Sequence, residues 1–192
     1  MNKSEHTCTL PTGITTITNS LLDDIRGKKQ ITHVIIPLGV TSIEEAAFQD
    51  CKYLTSITIP NGVTSIGRLA FMGCSSLTSV NIPYGITCIK METFSRCTNL
   101  TTITIPDSVT SIEDRTFFLC TNLTTIDIGK SVTSIGSSAF YGCSSLALVA
   151  IDENMKNIGR KAFEKCSNLR HVIIPASIKS KDVNYWNQVC ID

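Results

Sequence analysis

The chain has 192 residues, 42% of them hydrophobic, which suits one ordinary domain or one elongated repeat array. Its 17 Lys and Arg residues nearly balance 16 Asp and Glu residues, and the basic residues are scattered along the chain. This balance argues against nucleic acid or an anionic membrane surface as a partner, because both attract clustered positive charge.

The start of the chain gives no targeting signal. No stretch approaches the ~20 consecutive apolar residues that span a bilayer, so we expect no membrane insertion. Residues 1–7 lack the apolar segment of a secretory signal. This start favours a cytoplasmic location, or else an export signal that was removed or is unconventional.

Residues 1–30 are predicted to form an N-terminal cap with a first, degenerate repeat. Residues 11–17 match residues 37–43 at an offset of 26, which leaves three extra residues before Ile31. They lengthen a predicted helix that Asn19 or Ser20 would cap and Gly27 would close. Its inward-facing residues would be Leu21, Leu22 and Ile25.

Residues 31–178 are predicted to form an array of six full 23-residue repeats. One column of this array is Cys51, Cys74, Cys97, Cys120, Cys143 and Cys166. A second column is Phe48, Phe71, Phe94, Phe117, Phe140 and Phe163. A strict period of this length indicates a solenoid, in which each unit buries its apolar face by stacking on its neighbours.

Each repeat follows the pattern L-x-x-I-x-I-P-x-x-V-x-x-I-x-x-x-A-F-x-x-C-x-x. Polar and apolar residues alternate in its first part, which predicts a strand with one buried face. In one copy this strand is Ser56, Ile57, Thr58 and Ile59. Pro60 ends the strand because it has no N–H to donate. The glycine two residues after the proline, as at Gly62, predicts a turn position that tolerates positive φ.

The second part of the repeat predicts two further elements. Val63 and Ile66 form an apolar pair that suits a short second strand or an extended segment. Ala70, Phe71 and Cys74 are spaced for one helical or 3₁₀ turn that places the phenyl ring in the core.

The cysteine spacing predicts reduced, buried thiols. Equivalent residues of a stack lie about 4.8 Å apart and point in parallel, whereas a disulfide needs side chains that converge. A zinc site is not expected, because the chain lacks paired Cys and His residues at ligand spacing.

Residues 179–192 are predicted to form a helical C-terminal cap. Asp182 or Ser180 would cap this helix. Its apolar residues would be Val183, Trp186 and Cys190.

The repeat pattern resembles the BspA-like class of leucine-rich repeats over about residues 8–178. The resemblance implies an α/β repeat solenoid: a right-handed coil with a parallel β-sheet on one face. It also implies short second strands or extended segments, short helical turns and helical caps at both ends. For function it implies binding of a protein or matrix component, often at a cell or microbial surface, without catalysis.

No catalytic, cofactor-binding or metal-binding residues are predicted, and we expect no enzyme. His33 and His171 occupy one column six coils apart, or about 29 Å, so they cannot share a metal. Adjacent acidic pairs such as Glu113 and Asp114 diverge and are not repeated in the next coil.

The predicted partner-binding face is the outward side of the main strands. Its residues are Ser56, Thr58, Ser79, Asn81, Thr102, Thr104, Thr125, Asp127, Leu148 and His171. A flanking column adds Thr55, Thr78, Thr101 and Thr124. The alternative is that exposed strands favour Thr and Ser and that the repeats merely copy them.

Two smaller surfaces are also candidates. Leu148, Ala150 and Ile173 make the C-terminal end of this face apolar, as a contact or self-association patch. Met72, Phe118 and Tyr141 share a column at the predicted helical turn, where packing between coils is the alternative.

Two functions remain open on the sequence alone. The first is a non-catalytic protein–protein interaction module for adhesion or for binding a host or extracellular matrix protein. The second is a structural or self-assembling scaffold, although caps at both ends would oppose open polymerisation. We expect a monomer with weak self-association at most.

Overall fold

The structure, a computed structural model, describes residues 6–22 and 31–173. Within these residues the chain forms a parallel β-solenoid of about seven turns. Successive coils stack so that residues 23 apart, or 26 apart at the N-terminal end, are paired neighbours.

The main sheet has eight parallel strands, each paired with the preceding and following coil. The strands are β1 (Thr7–Thr9), β3 (His33–Ile35), β5 (Ser56–Thr58), β7 (Ser79–Val80), β9 (Thr102–Thr104), β11 (Thr125–Asp127), β13 (Leu148–Ala150) and β15 (His171–Ile173). The predicted alternation is confirmed in β5, where Ile57 is buried between the more exposed Ser56 and Thr58.

The predicted second strands are also present, as two-residue strands in two parallel sheets. The three-stranded sheet contains β2 (Thr16–Ile17), β4 (Ser42–Ile43) and β6 (Ser65–Ile66). The four-stranded sheet contains β8 (Cys88–Ile89), β10 (Ser111–Ile112), β12 (Ser134–Ile135) and β14 (Asn157–Ile158).

The core is a set of continuous columns. The six phenylalanines of the repeat are stacked face to face, with successive centroids 5.1–5.7 Å apart and ring planes within 11°. All six rings are buried. Such contacts contribute beyond the apolar area that each ring removes from water.

The cysteine column is confirmed as a row of buried thiols that form no disulfide. The structure adds a polar role for these thiols. In five coils the Sγ–H donates to the carbonyl of the phenylalanine 26 residues earlier, with Sγ···O distances of 3.1–3.2 Å. The thiols therefore join neighbouring coils as well as filling the core.

The predicted helical turns are wrong. In this segment the backbone N–H groups alternate between two kinds of acceptor. One N–H donates to the carbonyl three residues earlier in the same coil, and the following N–H donates to a carbonyl of the next coil. In one coil the latter belong to Ala46, Phe48 and Asp50, with N···O distances of 2.7–2.9 Å. Two residues in each of these turns have a left-handed backbone conformation. The first lies two positions before the phenylalanine and the second lies directly before the cysteine, as at Leu69 and Gly73. A right-handed helix cannot contain such residues.

The predicted positive φ after the proline is present at Gly13, with a φ of 84°, but not at the equivalent glycines of the array. Pro60 O accepts the Val63 N–H at 3.0 Å, so a turn does form there. However, Gly62 does not have a positive φ. A turn with both central residues at negative φ is sufficient.

The predicted N-terminal helical cap is wrong for the residues that the structure describes, which contain no α-helix. At the N-terminal end the chain forms a 3₁₀ turn, η1 (Ser20–Leu22), in which Leu22 is buried. The Thr18 hydroxyl accepts the Leu21 N–H at 3.2 Å. Ile25, Gly27 and the predicted C-terminal cap at 179–192 lie outside the described residues.

The left-handed turn residues predict a gain in stability on substitution by glycine. Arg96 is exposed and has a φ of 59°. A side chain costs about 1–2 kcal/mol in this conformation, while glycine adds about 0.5–1 kcal/mol of unfolded-state entropy. Arg96→Gly should therefore be more stable than Arg96→Ala by about 0.5–1 kcal/mol in urea unfolding. At Thr104, in strand β9, the glycine variant should instead be less stable than the alanine variant.

The buried thiols predict a loss of stability at alkaline pH. Burial raises the pKa of the Cys120 thiol from 9.0 to about 12. Above pH 9 the thiol ionises in the unfolded chain but keeps its proton in the folded chain, which lowers the free energy of unfolding. The contribution of this thiol to stability is therefore fully present below pH 9 and is lost as the pH rises towards 12. Between pH 8 and pH 10.5, the free energy of unfolding should fall less for the Cys120→Ala protein than for the wild type. For the control protein Thr104→Ala it should fall by as much as for the wild type. Equal losses in all three proteins would contradict this linkage.

Candidate functional site

The predicted partner-binding residues form one continuous face. Strand register aligns Ser56 with Ser79, Ser79 with Thr102, and Thr102 with Thr125. Thr125 pairs in turn with Leu148, and Leu148 with His171.

A second column runs parallel to this one. It contains Thr58, Asn81, Thr104 and Asp127, all of them exposed. The coil spacing thus brings together residues that lie far apart in the sequence.

This face is almost uncharged. Along the outward columns of the described strands, Asp127 is the one carboxylate, and no Lys or Arg is present. A ligand that needs strong charge pairing would find little to pair with here.

The flanking threonine column has a structural role. The Thr55 hydroxyl donates to Thr32 O at 3.0 Å, and the hydroxyls of Thr78, Thr101 and Thr124 donate in the same way to the coil before at 3.1–3.2 Å. A further threonine column before the second strands repeats this pattern at 3.1–3.4 Å, as in the bond from Thr110 to Thr87 O. These hydroxyls stabilise the stack, which explains much of the threonine content.

The N-terminal end of the face carries exposed apolar residues that the sequence reasoning missed. Ile35 is an outward residue of β3 and is 52% exposed. Leu38 and Tyr84 share the turn column after the main strand and are 88% and 77% exposed, and Tyr53, 56% exposed, lies on the other flank. The sequence did contain a signal for them, because each of these large apolar residues stands in a column that holds mostly small or polar residues.

The opposite end of the face is apolar as predicted. Leu148 is 47% exposed and Ile173 is 58% exposed. On the sheet itself, the exposed large hydrophobic residues of the described chain are Ile35, Leu148 and Ile173, which lie towards its two ends, while the outward residues between them are polar.

The column of Met72, Phe118 and Tyr141 is half-buried. The Phe118 and Tyr141 rings stack at 5.0 Å, with the Arg115 guanidinium 5.9 Å from the first centroid and the Lys165 ammonium 5.3 Å from the second. A hydrogen bond to Tyr141 raises the pKa of Lys165. The column therefore packs between coils, as the alternative interpretation expected.

The described residues contain no cluster of metal ligands. Within residues 6–22 and 31–173, no three His, Cys, Asp or Glu residues lie together as metal ligands would. The His33 ring lies on the surface, with Nδ1 2.8 Å from the Thr32 hydroxyl. The described chain also has no helix long and apolar enough to cross a membrane.

A family model for the BspA type leucine rich repeat region matches residues 25–120 and 64–190, with six copies of the repeat. The chain belongs to this family. The sequence resemblance is therefore confirmed, and the repeat pattern, the columns and the sheet order of the molecule are those of a BspA-type leucine-rich repeat protein. The comparison with curated proteins finds no match.

Solved structures support the same fold. A leucine-rich repeat protein from Eubacterium ventriosum is 26% identical, with a TM-score of 0.81, over 95% of this chain and 48% of its own. One from Bacteroides ovatus is 24% identical, with a TM-score of 0.60, over 88% of this chain and 55% of its own, and shows the fold alone. The BspA-type chain thus spans about half the length of these proteins.

The hydroxyl bonds of the flanking column predict unequal effects of two Thr→Val substitutions in one coil. Thr55→Val removes the bond to Thr32 O and should lower the unfolding free energy by about 0.5–1.5 kcal/mol. Thr58→Val, on the exposed face, should cost almost nothing because valine favours strands. Chemical denaturation measures the unfolding free energy of both proteins. Equal losses would show that the threonine hydroxyls of this column do not stabilise the stack.

Proposed function

We propose that this chain is a non-catalytic module that binds a partner protein through the outward face of its main sheet. The observation that carries the proposal is an exposed, nearly uncharged eight-stranded face with exposed tyrosines on its flanks. Eight strands at about 4.8 Å span about 34 Å, which suits contact with a folded protein. Adhesion to a host or matrix protein is the more specific form of this proposal.

The flanking tyrosines are the proposed anchors. Tyrosine is enriched among the residues that dominate binding energy, and it loses little side-chain entropy on binding. Tyr53 and Tyr84 lie on opposite flanks within the first coils of the array, and Ile35 lies on the sheet near them. The polar residues from Ser56 to Asp127 would then provide the rest of the contact surface.

A charged side chain in the centre of the face should abolish binding. The partner would first be isolated from host or matrix extract, purified and titrated by calorimetry. Ser79→Arg in β7 should raise the Kd by at least about tenfold, because it places an unpaired charge in the interface. The matched control is Ser65→Arg in β6, on a different sheet, which should leave the Kd unchanged.

The anchors and the electrostatics are tested with the same purified partner. Tyr84→Ala should weaken binding by about tenfold, since truncated anchors commonly cost more than 1 kcal/mol. Raising the salt concentration should change the Kd little, because the face carries almost no charge. Equal binding by Ser79→Arg and Ser65→Arg would refute the main-sheet proposal, and growth of the chain into long polymers by light scattering would favour the scaffold function instead.

A further inference from the structure

A cavity of about 300 Å³ lies on a different side of the coil, where β10 and β12 end. Its walls include Met91, Ser111, Glu113, Asp114, Ser134 and Gly136, from three successive coils. The main-sheet strands contribute none of its lining residues. Its volume is at the lower end of the range for sites that bind a ligand or a single side chain.

The absence of a side chain at Gly136 opens this cavity, in a column that holds glycine also at Gly67 and Gly159. Lys90, Glu113 and Gly136 occupy the same position in three successive coils, so the third coil has no side chain there. A Cβ atom on Gly136 would lie 2.4 Å from the Asp114 backbone nitrogen. Glycine is therefore required for the close approach of the two coils, and it leaves space beside the Glu113 side chain.

The two carboxylates at the cavity are held in place by backbone groups. Glu113 Oε2 accepts the Met91 N–H at 2.8 Å, and Glu113 Oε1 accepts the Cys88 Sγ–H at 3.4 Å, both from the preceding coil. Asp114 Oδ1 accepts the Ser137 N–H at 2.7 Å from the following coil. Each ionised carboxylate keeps further acceptor positions, since two oxygens offer about four lone pairs.

The carboxylates have no cationic partner in the described chain. The ion pairs there join Arg115 to Glu92 and Lys161 to Glu164. No Lys or Arg nitrogen of residues 6–22 and 31–173 lies within 4.0 Å of Glu113 or Asp114, although Lys90 occupies the adjacent coil. The site thus presents fixed negative charge to an incoming cation.

The apolar wall favours a guanidinium over an ammonium. Arg68 Nη2 already lies 3.6 Å from the Met91 Sδ, on the side of the preceding coil. The Met91 thioether thus already accepts one weak hydrogen bond from a guanidinium group within the chain. A planar guanidinium is weakly hydrated and has five donors, which suits two carboxylates and the hydroxyls of Ser111 and Ser134.

We infer that this cavity is a docking site for an arginine side chain presented by a partner protein. Charge complementarity, the clamped carboxylates and the thioether wall identify the occupant. The site does not depend on the main-sheet face, so its occupancy and the proposed function can fail separately.

The test uses the full chain labelled with ¹⁵N and a blocked Gly-Arg-Gly tripeptide as the probe. Amide shifts of Met91, Gly136 and Ser137 would report binding and give the Kd. The arginine tripeptide should bind at least about tenfold more tightly than its citrulline analogue, which has the same shape without charge. It should also bind more tightly than the lysine tripeptide, and Ser79→Arg should leave its Kd unchanged.

Matched variants assign the effect to the cavity. Glu113→Gln with Asp114→Asn keeps the oxygens that accept the backbone N–H groups, so the fold is retained while the Kd should rise about tenfold. Glu44→Gln with Glu45→Gln changes the acidic pair in the same two columns of another coil and should have no effect.

Three results would overturn the inference. These are equal binding of the citrulline or lysine tripeptide, an unchanged Kd in the Glu113→Gln/Asp114→Asn protein, and an equal loss in the Glu44→Gln/Glu45→Gln protein. Binding of free arginine but not of the tripeptide would also overturn it, because the cavity would then take a small molecule instead of a partner's side chain.

Discussion

Hydrogen bonding between equivalent positions of adjacent coils is the constraint on which the whole molecule depends. Backbone donors of each coil find acceptors in the neighbouring coils, both in the strands and in the phenylalanine turns. Thiol and hydroxyl side chains add further bonds, which run to the preceding coil. Within the array, a residue added or removed inside these bonded segments would displace the donors that follow from their acceptors, which explains the constant step of 23 residues there, whereas the first coil pairs at a step of 26.

The same constraint separates structural residues from residues that are free to bind. Threonine hydroxyls of the flanking column already bond to the coil before, so they have little left to offer a partner. Outward residues such as Thr58 and Thr104 do not belong to this bonded column and stay exposed. The Thr-rich composition therefore reports mostly on the stack, and only part of it reports on a binding face.

Both proposed binding regions occur where the repeat changes. Leu38 and Tyr84 place large apolar groups in a turn column that elsewhere holds Asn, Asp, Lys or Glu. Gly136 removes a side chain from a column that holds Lys90 and Glu113 in the coils before it. A repeated scaffold thus acquires specific surfaces at columns whose residue varies from coil to coil, because the stacking bonds keep the backbone constant around them.

The sequence by itself determined the period, the stacked phenylalanines and cysteines, and the alternating strand with Ile57 inside, since these follow from periodicity alone. It also placed the outward columns from Ser56 to Leu148 on one face. It did not determine the turn conformation: spacing that suits a helix at Ala70, Phe71 and Cys74 also suits a turn with left-handed residues at Leu69 and Gly73. Only the tertiary structure decided this, because the N–H groups there bond to the next coil and not along a helix. It alone also brought Glu113, Asp114 and Gly136 around one cavity, since contacts across coils leave no local trace in the sequence.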